Sequence, residues 1–465
     1  MYDEGEEEGL NNYINPENNK LNEDEELIDN RTCLKRTFGK MKPDSLRGAI
    51  FNLCILSLGS GCLAVPQKFG YMSLIISPFA IIIAGCINLW ALILISSLYE
   101  KYKIKRYDLL VEKLYGKSLG ILLSITMFIN QFGILIIYQV IIYKLLGGII
   151  NEIGGFGYKN NDTFLEESFW GEYKWKFSVC YGITFIIILP LCLLKNVSEM
   201  RYTSTFGILS IILLILIVLV ESPFFIINWW NDGITKEKVN IFNIKQGFDK
   251  DMKFIKSITT LFYGFSCHVG AFPIISSLKN PTRRRVDKVF KYGMTLDIIC
   301  YLVIGFCGYL TQPIDTPDLI IERTKIFKND LLMNIAQICF ILAVFTKISA
   351  NYNAYRVVFL SFFNIDLNTF SNKINFIVTI CTLSITTFIS VVFQSISDYL
   401  SFIGSFCTVI ISYLIPGLLY IKGNKYPKTH YKNIITTILL CILCPIGLTS
   451  GIFTIQGIIN KSKKK

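Results

Sequence analysis

The amino-acid sequence predicts an all-α polytopic membrane protein with about eleven transmembrane helices, most of them in two inverted repeats of five. Two observations predict this class: long apolar blocks, and two blocks that are interrupted by glycine. The chain is 52% hydrophobic with a mean hydropathy of +0.48, and blocks of about 18 or more apolar residues match the hydrocarbon core of a membrane. The blocks lie roughly at residues 46–69, 73–98, 119–144, 177–194, 203–228, 254–275, 288–311, 330–361, 374–393, 399–421 and 433–459.

The charged residues predict how the chain is oriented. Lysine and arginine total 46, aspartate and glutamate total 34, and the net charge is +12. Basic residues concentrate in loops of one side, which is typical of cytoplasmic loops, so the N-terminus is predicted to be cytoplasmic. The run Arg283-Arg284-Arg285 fits nucleic acid in principle, but a short cytoplasmic loop explains it better and no nucleic-acid partner is expected. The basic clusters lie at residues 31–47, 101–117, 279–291 and 422–432.

The two ends of the chain and one loop are predicted to be polar. Residues 1–45, acidic and then basic, are expected to form a disordered cytoplasmic tail. Asn161-Asp162-Thr163 forms an N-glycosylation pattern in a loop predicted to lie outside. A basic tail, 461–465, falls on that same outer side after eleven spans. Either the basic-loop rule fails there or one span is miscounted.

The sequence lacks the motifs of enzymes and metal sites. Its 14 cysteines lie mostly in predicted spans, and its 2 histidines are too few for a histidine-rich metal site. Cys441 and Cys444 have the spacing of a redox motif, but in an apolar helix two small packing residues explain the pair better. No nucleophile elbow, phosphate loop or metalloprotease helix occurs, so neither an enzyme nor a cofactor is expected.

The first predicted span is interrupted at its centre. Gly59-Ser60-Gly61 lies inside the apolar run from Leu46 to Phe69. Lipid offers no water to loose backbone groups, so a break is tolerated only inside protein or beside a wet cavity. Paired breaks in corresponding halves of a chain indicate the binding site of a transporter.

A second broken span follows about two hundred residues later. The run Leu261–Pro273 carries two glycines and a proline around the polar centre Ser266-Cys267-His268. A kinked helix is the alternative, because glycine and proline are common in membrane spans. Two such spans, each opening a block of five, favour a five-plus-five inverted repeat. The predicted transmembrane domain is 46–460, with repeats at 46–228 and 254–421 and an extra helix at 433–459.

Three stretches of the sequence match one known pattern. They are Phe51-Asn52-Leu53 with Gly59–Pro66 in the first span, Phe265–His268 with Phe272–Ile274, Leu278–Pro281 and Arg284 in and behind the sixth, and Ser405–Tyr420 in the tenth. These stretches resemble the amino acid/auxin permease family of the APC superfamily. The likeness covers nearly the whole chain from Leu46 onward. It implies a LeuT-type fold and transport of amino acids by alternating access.

Helix breaks suit an amino acid on physical grounds. Free amides at a half-helix N-terminus fit its carboxylate, and unwound carbonyls fit its ammonium group. We expect the carboxylate just after the first break and the amino group at carbonyls of both breaks. The carboxylate is placed at the amides of Ser60, Gly61 and Cys62, following Gly59, and the amino group at carbonyls near Leu58, Phe265 and Ser266.

Selectivity for the substrate side chain is expected from the third, sixth, eighth and tenth spans. Gln131 and Tyr138 are seven residues apart and so share a helix face. His268 is a candidate to contact substrate or to sense pH, because histidine titrates near physiological pH. Hydrogen bonding between helices is the alternative, and it explains Asn130 and Gln131 at least as well.

The sodium-binding pattern of the family is altered in this chain. Sodium-coupled relatives have an asparagine in the first broken helix, where this chain has Ile55, and a hydroxyl residue in the eighth. Sodium prefers oxygen ligands, but the eighth span reads Thr346-Lys347-Ile348-Ser349. The Lys347 ammonium could replace sodium and exchange a proton, because charges within spans are usually functional. Asp297 is its expected partner, either in coupling or in a purely structural pair.

We therefore expect coupling to protons, or to no ion, rather than to sodium. The predicted partners are an amino acid, protons and the lipid bilayer. A sensor with the same fold is an open alternative, which the short tail disfavours, and so is a carrier of another small amine or organic solute. The plasma membrane or a vacuolar or lysosomal-type membrane is the expected location. A bias toward Ile, Asn and Lys indicates an AT-rich, apicomplexan-type genome.

Overall fold

The computed structural model describes most of the chain after its N-terminal tail. The tail, the Asn161 glycosylation pattern and Lys465 lie outside the described residues. Every regular element within the described part is helical, which confirms the predicted all-α class. The described residues are 46–104, 106–153, 173–193, 200–231, 239–241, 247–248, 252–278, 280–323, 331–363, 371–392, 395–424, 426–427 and 429–464.

Two spans, the first and the sixth, are broken into pairs of short helices, the helices of the fourth and tenth are joined by π-helical segments, Thr184–Ile188 and Gly404–Leu414, and the other spans are continuous. The first span is α1 (Leu46–Ser57) with α2 (Ser60–Met72), and the sixth is α9 (Lys253–Gly264) with α10 (His268–Ser277). The second to fifth spans are α3 (Ile76–Tyr102), α5 (Lys117–Ile153), α6 (Tyr173–Ile183) with α7 (Leu189–Leu193), and α8 (Met200–Asn231), and the short α4 (Tyr107–Tyr115) joins the second to the third. The seventh to eleventh spans are α11 (Arg283–Thr311), α12 (Leu331–Ser361), α13 (Asn372–Val392), α14 (Ile396–Ile403) with α15 (Ile415–Gly423), and α16 (Tyr431–Lys464).

A helix occupies each of the predicted apolar blocks. Among the described residues 9 helices are long and apolar enough to cross a membrane, and α1 with α2, bent by 51°, is a further candidate. The fourth block corresponds to a shorter apolar helix, Phe177–Leu193. The last helix runs five residues beyond its predicted end at 459, so 461–464 continue it.

The surface of the bundle is apolar, as a lipid environment requires. Large hydrophobic side chains are exposed along the outer faces of several spans, for example Phe79, Ile83 and Ile186. In water such an extended apolar surface would mark an interface. On helices of membrane-spanning length it is the surface that contacts lipid.

An uncharged hydrogen-bonded cluster joins the third, fourth and ninth spans. The Tyr143 hydroxyl lies 2.6 Å from the Thr184 hydroxyl, which lies 3.0 Å from that of Thr387. Gln139 donates to Thr387 at 3.2 Å. Thr184 also opens a π-helical turn, Thr184–Ile188, between α6 and α7. Hydroxyl and amide groups commonly hold membrane helices together in this way, so these three spans form one unit.

Polar contacts also cover the end of α2. Gln67 donates to Asp318 at 2.6 Å, and Lys68 donates to Ser397 at the start of α14 at 2.7 Å. The segment that contains Asp318 follows the seventh span and includes a 3₁₀ turn, Ile320–Glu322. These contacts bind the first span to the tenth and to this segment.

A buried ion pair fixes the same segment to the fifth span. Arg323 bonds the carboxylate of Glu221 in α8, and its guanidinium lies 4.4 Å from the centre of the Phe225 ring. Both charged side chains are almost fully buried. A buried pair costs desolvation to form, but losing one member destabilises strongly because the other charge stays buried.

We predict that Glu221→Gln destabilises the protein, because it removes the carboxylate that contacts buried Arg323. The expected loss is about 3 kcal/mol, measured as a lower thermal midpoint in detergent. Glu100→Gln is the matched control, since Glu100 and Arg283 lie 3.4 Å apart with about half of each side chain exposed, and exposed pairs contribute little. Equal midpoints for the two variants would contradict the prediction.

Candidate functional site

The first break places three backbone amides at the start of a helix. Helix α1 ends at Ser57 and α2 begins at Ser60, so Leu58 and Gly59 form the break. The N–H groups of the first turn of a helix have no acceptor within it. Those amides belong to Ser60–Cys62, all of them buried. The structure thus gives this triplet the helix N-terminus on which the expected carboxylate site depends.

The second break lies directly against the first. Helix α9 ends at Gly264, and α10 begins at His268. A Cβ atom at Gly61 would lie 2.7 Å from the Cα of Gly264. The absent side chain of Gly61 therefore permits the close approach of the two broken helices, whereas a Cβ atom at Gly264 would lie 2.9 Å from the Tyr301 hydroxyl.

Two tyrosines border the paired breaks. The Ser60 hydroxyl lies 3.2 Å from that of Tyr263. A Cβ atom at Gly59 would lie 3.0 Å from the Tyr138 hydroxyl, so the third span comes close to the first break. Tyr263 was missed at the sequence level, although its position before Gly264 was a signal.

The structure also places three other predicted residues, Gln131, Ser266 and His268. Gln131 is buried on the third span about 10 Å along the helix from Tyr138, since each residue rises about 1.5 Å. Ser266 lies 2.9 Å from Ser412 of the tenth span, hydroxyl to hydroxyl. The buried His268 ring meets Tyr413 edge to face at 6.5 Å, and neither of its nitrogens has a hydrogen-bond partner within the described part. Their roles toward substrate stay predictions.

Lys347 binds the carbonyl at the first break. Its ammonium group donates to the Leu58 oxygen at 3.0 Å, and both residues are buried. Gly207 of the fifth span leaves room here, because a Cβ atom there would lie 2.4 Å from Ile55 and 3.7 Å from Lys347. The Thr346 side chain lies outside the described residues.

Asp297 contacts Ser57, the residue that precedes Leu58 in the chain. Its Oδ2 accepts a hydrogen bond from the Ser57 hydroxyl, and Oδ1 has no partner among the described residues. The expected pair of Asp297 with Lys347 is wrong: their side chains form no ion pair within 4.0 Å in the described structure. Each instead reaches the first span at an adjacent residue, Asp297 from the seventh span and Lys347 from the eighth.

Tyr301, one turn beyond Asp297 on the same helix, contacts both breaks. Its hydroxyl lies 2.9 Å from the Ser57 carbonyl oxygen and 2.8 Å from that of Gly264. Sequence reasoning missed it. Its spacing of four residues from Asp297 places the two side chains on one face, which is the signal that was present.

A family comparison agrees with this architecture. The model of the family described as transmembrane amino acid transporter protein matches residues 42–460. The chain belongs to this family. Its members are transporters rather than enzymes, and the resemblance found in the sequence is confirmed.

Individual members of the transmembrane amino acid transporter family are distant in sequence. Amino acid transporter AVT6E of Arabidopsis thaliana is 24% identical over 61% of this chain and 55% of its own length. Sodium-coupled neutral amino acid transporter 7 of Danio rerio is 25% identical over 57% of this chain and 53% of its own. This chain thus spans about half the length of these two relatives. A Plasmodium berghei protein, described as a candidate amino acid transporter, AAT1, is 22% identical over 94% of this chain and 74% of its own.

A solved structure shares the fold of this family member. MhsT in complex with L-phenylalanine superposes with a TM-score of 0.57 at 15% identity, covering 90% of this chain and 100% of that one. The LeuT-type fold is therefore confirmed. The broken helices are seen in this chain's own geometry. The substrate chemistry is argued from that geometry and not from MhsT.

We predict that Gly61→Ala strongly reduces uptake of radiolabelled amino acids, because the new methyl group must displace Gly264. Overpacking of this kind costs about 1–3 kcal/mol, so we expect at least about a tenfold loss at equal membrane expression. Gly182→Ala is the matched control, since a Cβ atom there meets nothing within 4 Å. Normal uptake by Gly61→Ala would show that the two breaks need not touch.

Proposed function

We propose that this protein is a secondary amino acid transporter that works by alternating access without sodium. The contact between the Lys347 ammonium and the Leu58 carbonyl carries the proposal. In broken-helix transporters, carbonyls released at a break hold the coupling cation. Here a positive charge that belongs to the protein already binds such a carbonyl.

The substrate carboxylate is proposed to bind the amides of Ser60, Gly61 and Cys62. The N-terminus of α2 carries partial positive charge, and the hydroxyl groups of Ser60 and Tyr263 lie beside it. The place of the amino group changes from the sequence-based expectation, because Leu58 gives its carbonyl to Lys347. Carbonyls of Phe265 and Ser266, in the gap between α9 and α10, are its proposed partners.

A fixed ammonium at the break disfavours sodium for two reasons. It occupies the carbonyl oxygen that a cation would need as a ligand. Its charge also repels a second positive charge over a short distance in a medium of low polarity. Ile55, which lies close to Gly207 as the lysine stem does, offers no oxygen ligand. The name of the zebrafish relative describes sodium coupling, so we propose that this chain differs from that relative at the cation position.

Asp297 is the proposed proton-binding group. The Ser57 hydroxyl has one hydrogen. Its oxygen lies 3.2 Å from the carbonyl oxygens of Leu53 and Cys54 and also contacts the Asp297 carboxylate. An ionised Asp297 accepts a hydrogen bond from that hydroxyl. A protonated Asp297 donates a hydrogen bond to the Ser57 oxygen instead, and the Ser57 hydrogen then points toward the helix carbonyls. Proton binding would thus change the hydrogen bonds at the end of α1.

The repeats and the orientation belong to the same proposal. We place the first repeat at 46–228, the second at 254–421 and the extra helix at 433–459. The N-terminus is proposed to be cytoplasmic, on the strength of the basic loops on its side. The membrane is either the plasma membrane or a vacuolar-type membrane.

The decisive experiment measures uptake into proteoliposomes with a panel of radiolabelled L-amino acids. We expect uptake of at least one amino acid, unchanged when choline replaces sodium, and about a tenfold or greater loss in Lys347→Met. Lys144→Met serves as control, because Lys144 is partly exposed and pairs with Glu322 at 3.1 Å. Strong loss of uptake in choline would contradict the sodium-free mechanism, and full activity of Lys347→Met would exclude a coupling role for the lysine.

Proton coupling has its own test. If Asp297 binds the coupled proton, uptake by the normal protein rises when a pH gradient, acid on the side of uptake, is imposed, and uptake by Asp297→Asn does not respond. The amide keeps the size of the side chain and can still donate to Ser57, so it imitates the protonated state. A gradient response that survives in Asp297→Asn would assign the proton to another group.

A further inference from the structure

Two helix ends face one hydroxyl group at the centre of the bundle. Ser57 is the last residue of α1 and Gly264 the last of α9. Carbonyls at the end of a helix have no donor within it. The Tyr301 hydroxyl lies 2.9 Å from the first of these oxygens and 2.8 Å from the second.

The arrangement is electrostatically demanding. Each helix C-terminus carries partial negative charge, so two of them side by side repel. A phenol has one hydrogen, and at these distances the two oxygens share it. The Tyr301 hydrogen therefore offsets the repulsion and links the two half-helices.

The surrounding packing is fitted to this hydroxyl. A Cβ atom would lie 3.1 Å from the Tyr301 oxygen if built at Gly61, and 2.9 Å if built at Gly264. The Tyr301 ring packs on Phe265 with 4.5 Å between ring centres, and both residues are fully buried. The two glycines and the Phe265 ring therefore fit closely around the Tyr301 hydroxyl, which lies between the breaks.

We propose that Tyr301 is a positioning residue for substrate binding, which holds the first-break amides and the sixth-span residues in register around one amino acid. This inference rests on the proposed transport function. Ser60 begins α2 three residues after Ser57, and Tyr263 precedes Gly264, so the link between the carbonyls also sets the distance between these two side chains. Tyr301 supports the residues that bind the carboxylate and the amino group of the substrate.

The test compares Tyr301→Phe with Tyr309→Phe in proteoliposomes. Both changes remove one buried hydroxyl from the seventh span, and that of Tyr309 accepts the Asn240 N–H at 3.0 Å, away from the breaks. For the best-transported radiolabelled L-amino acid, we expect Tyr301→Phe to raise KM about tenfold, the equivalent of one hydrogen bond to a polar group. Its Vmax should stay within about twofold of the normal value, while Tyr309→Phe leaves KM unchanged.

The thermal midpoint in detergent separates positioning from folding. We expect it to fall no further in Tyr301→Phe than in Tyr309→Phe. An unchanged KM in Tyr301→Phe, a loss confined to Vmax, or an equal rise of KM in both variants would overturn this inference while the transport function stands. Failure of the normal protein to take up any amino acid of the panel would overturn the proposed function, and the inference with it.

Discussion

The need to satisfy every backbone polar group inside a membrane governs this structure. Two spans are broken, and each break releases carbonyls that lipid cannot solvate. The protein supplies donors from neighbouring helices: the Lys347 ammonium binds Leu58, and the Tyr301 hydroxyl serves Ser57 and Gly264. The backbone N–H groups of Gly59 and Ser266 also donate to helix-end carbonyls, so the side chains of the seventh and eighth spans add to donors that the breaks themselves supply.

The same requirement explains the glycines. A donor can serve carbonyls of two helices at once only if the helices nearly touch, and the Gly61–Gly264 contact permits that approach. The same two glycines also make space for the Tyr301 hydroxyl, because Cβ atoms at Gly61 and Gly264 would lie 3.1 and 2.9 Å from it. Glycine therefore has two roles in this fold. It interrupts a span, and it makes space for the side chain that donates a hydrogen bond to the carbonyls at the break.

The sequence predicted the breaks but not their partners. Glycine within an apolar run is a local signal, so Gly59–Gly61 and Gly264 could be recognised, and the family resemblance extended the fold to the whole chain. Tyr301 lies 244 residues from Ser57, and no local pattern shows which tyrosine of an apolar helix points at which carbonyl. Lys347 was found because a charge within a span is rare. Its pairing with Asp297 was wrong, because opposite charge alone does not reveal that each side chain binds a different atom of the first span.

The cluster of Tyr143, Thr184, Thr387 and Gln139 has a consequence for the conditions in which the protein can work. None of its members ionises within the range of pH that cells maintain, so acid on either face leaves the union of the third, fourth and ninth spans unchanged. Three buried ionisable groups, Lys68, Asp297 and Lys347, instead lie on the first span or bond to it. The hydrogen bonds of this cluster therefore do not depend on pH, whereas the contacts of the first span include groups that can gain or lose a proton.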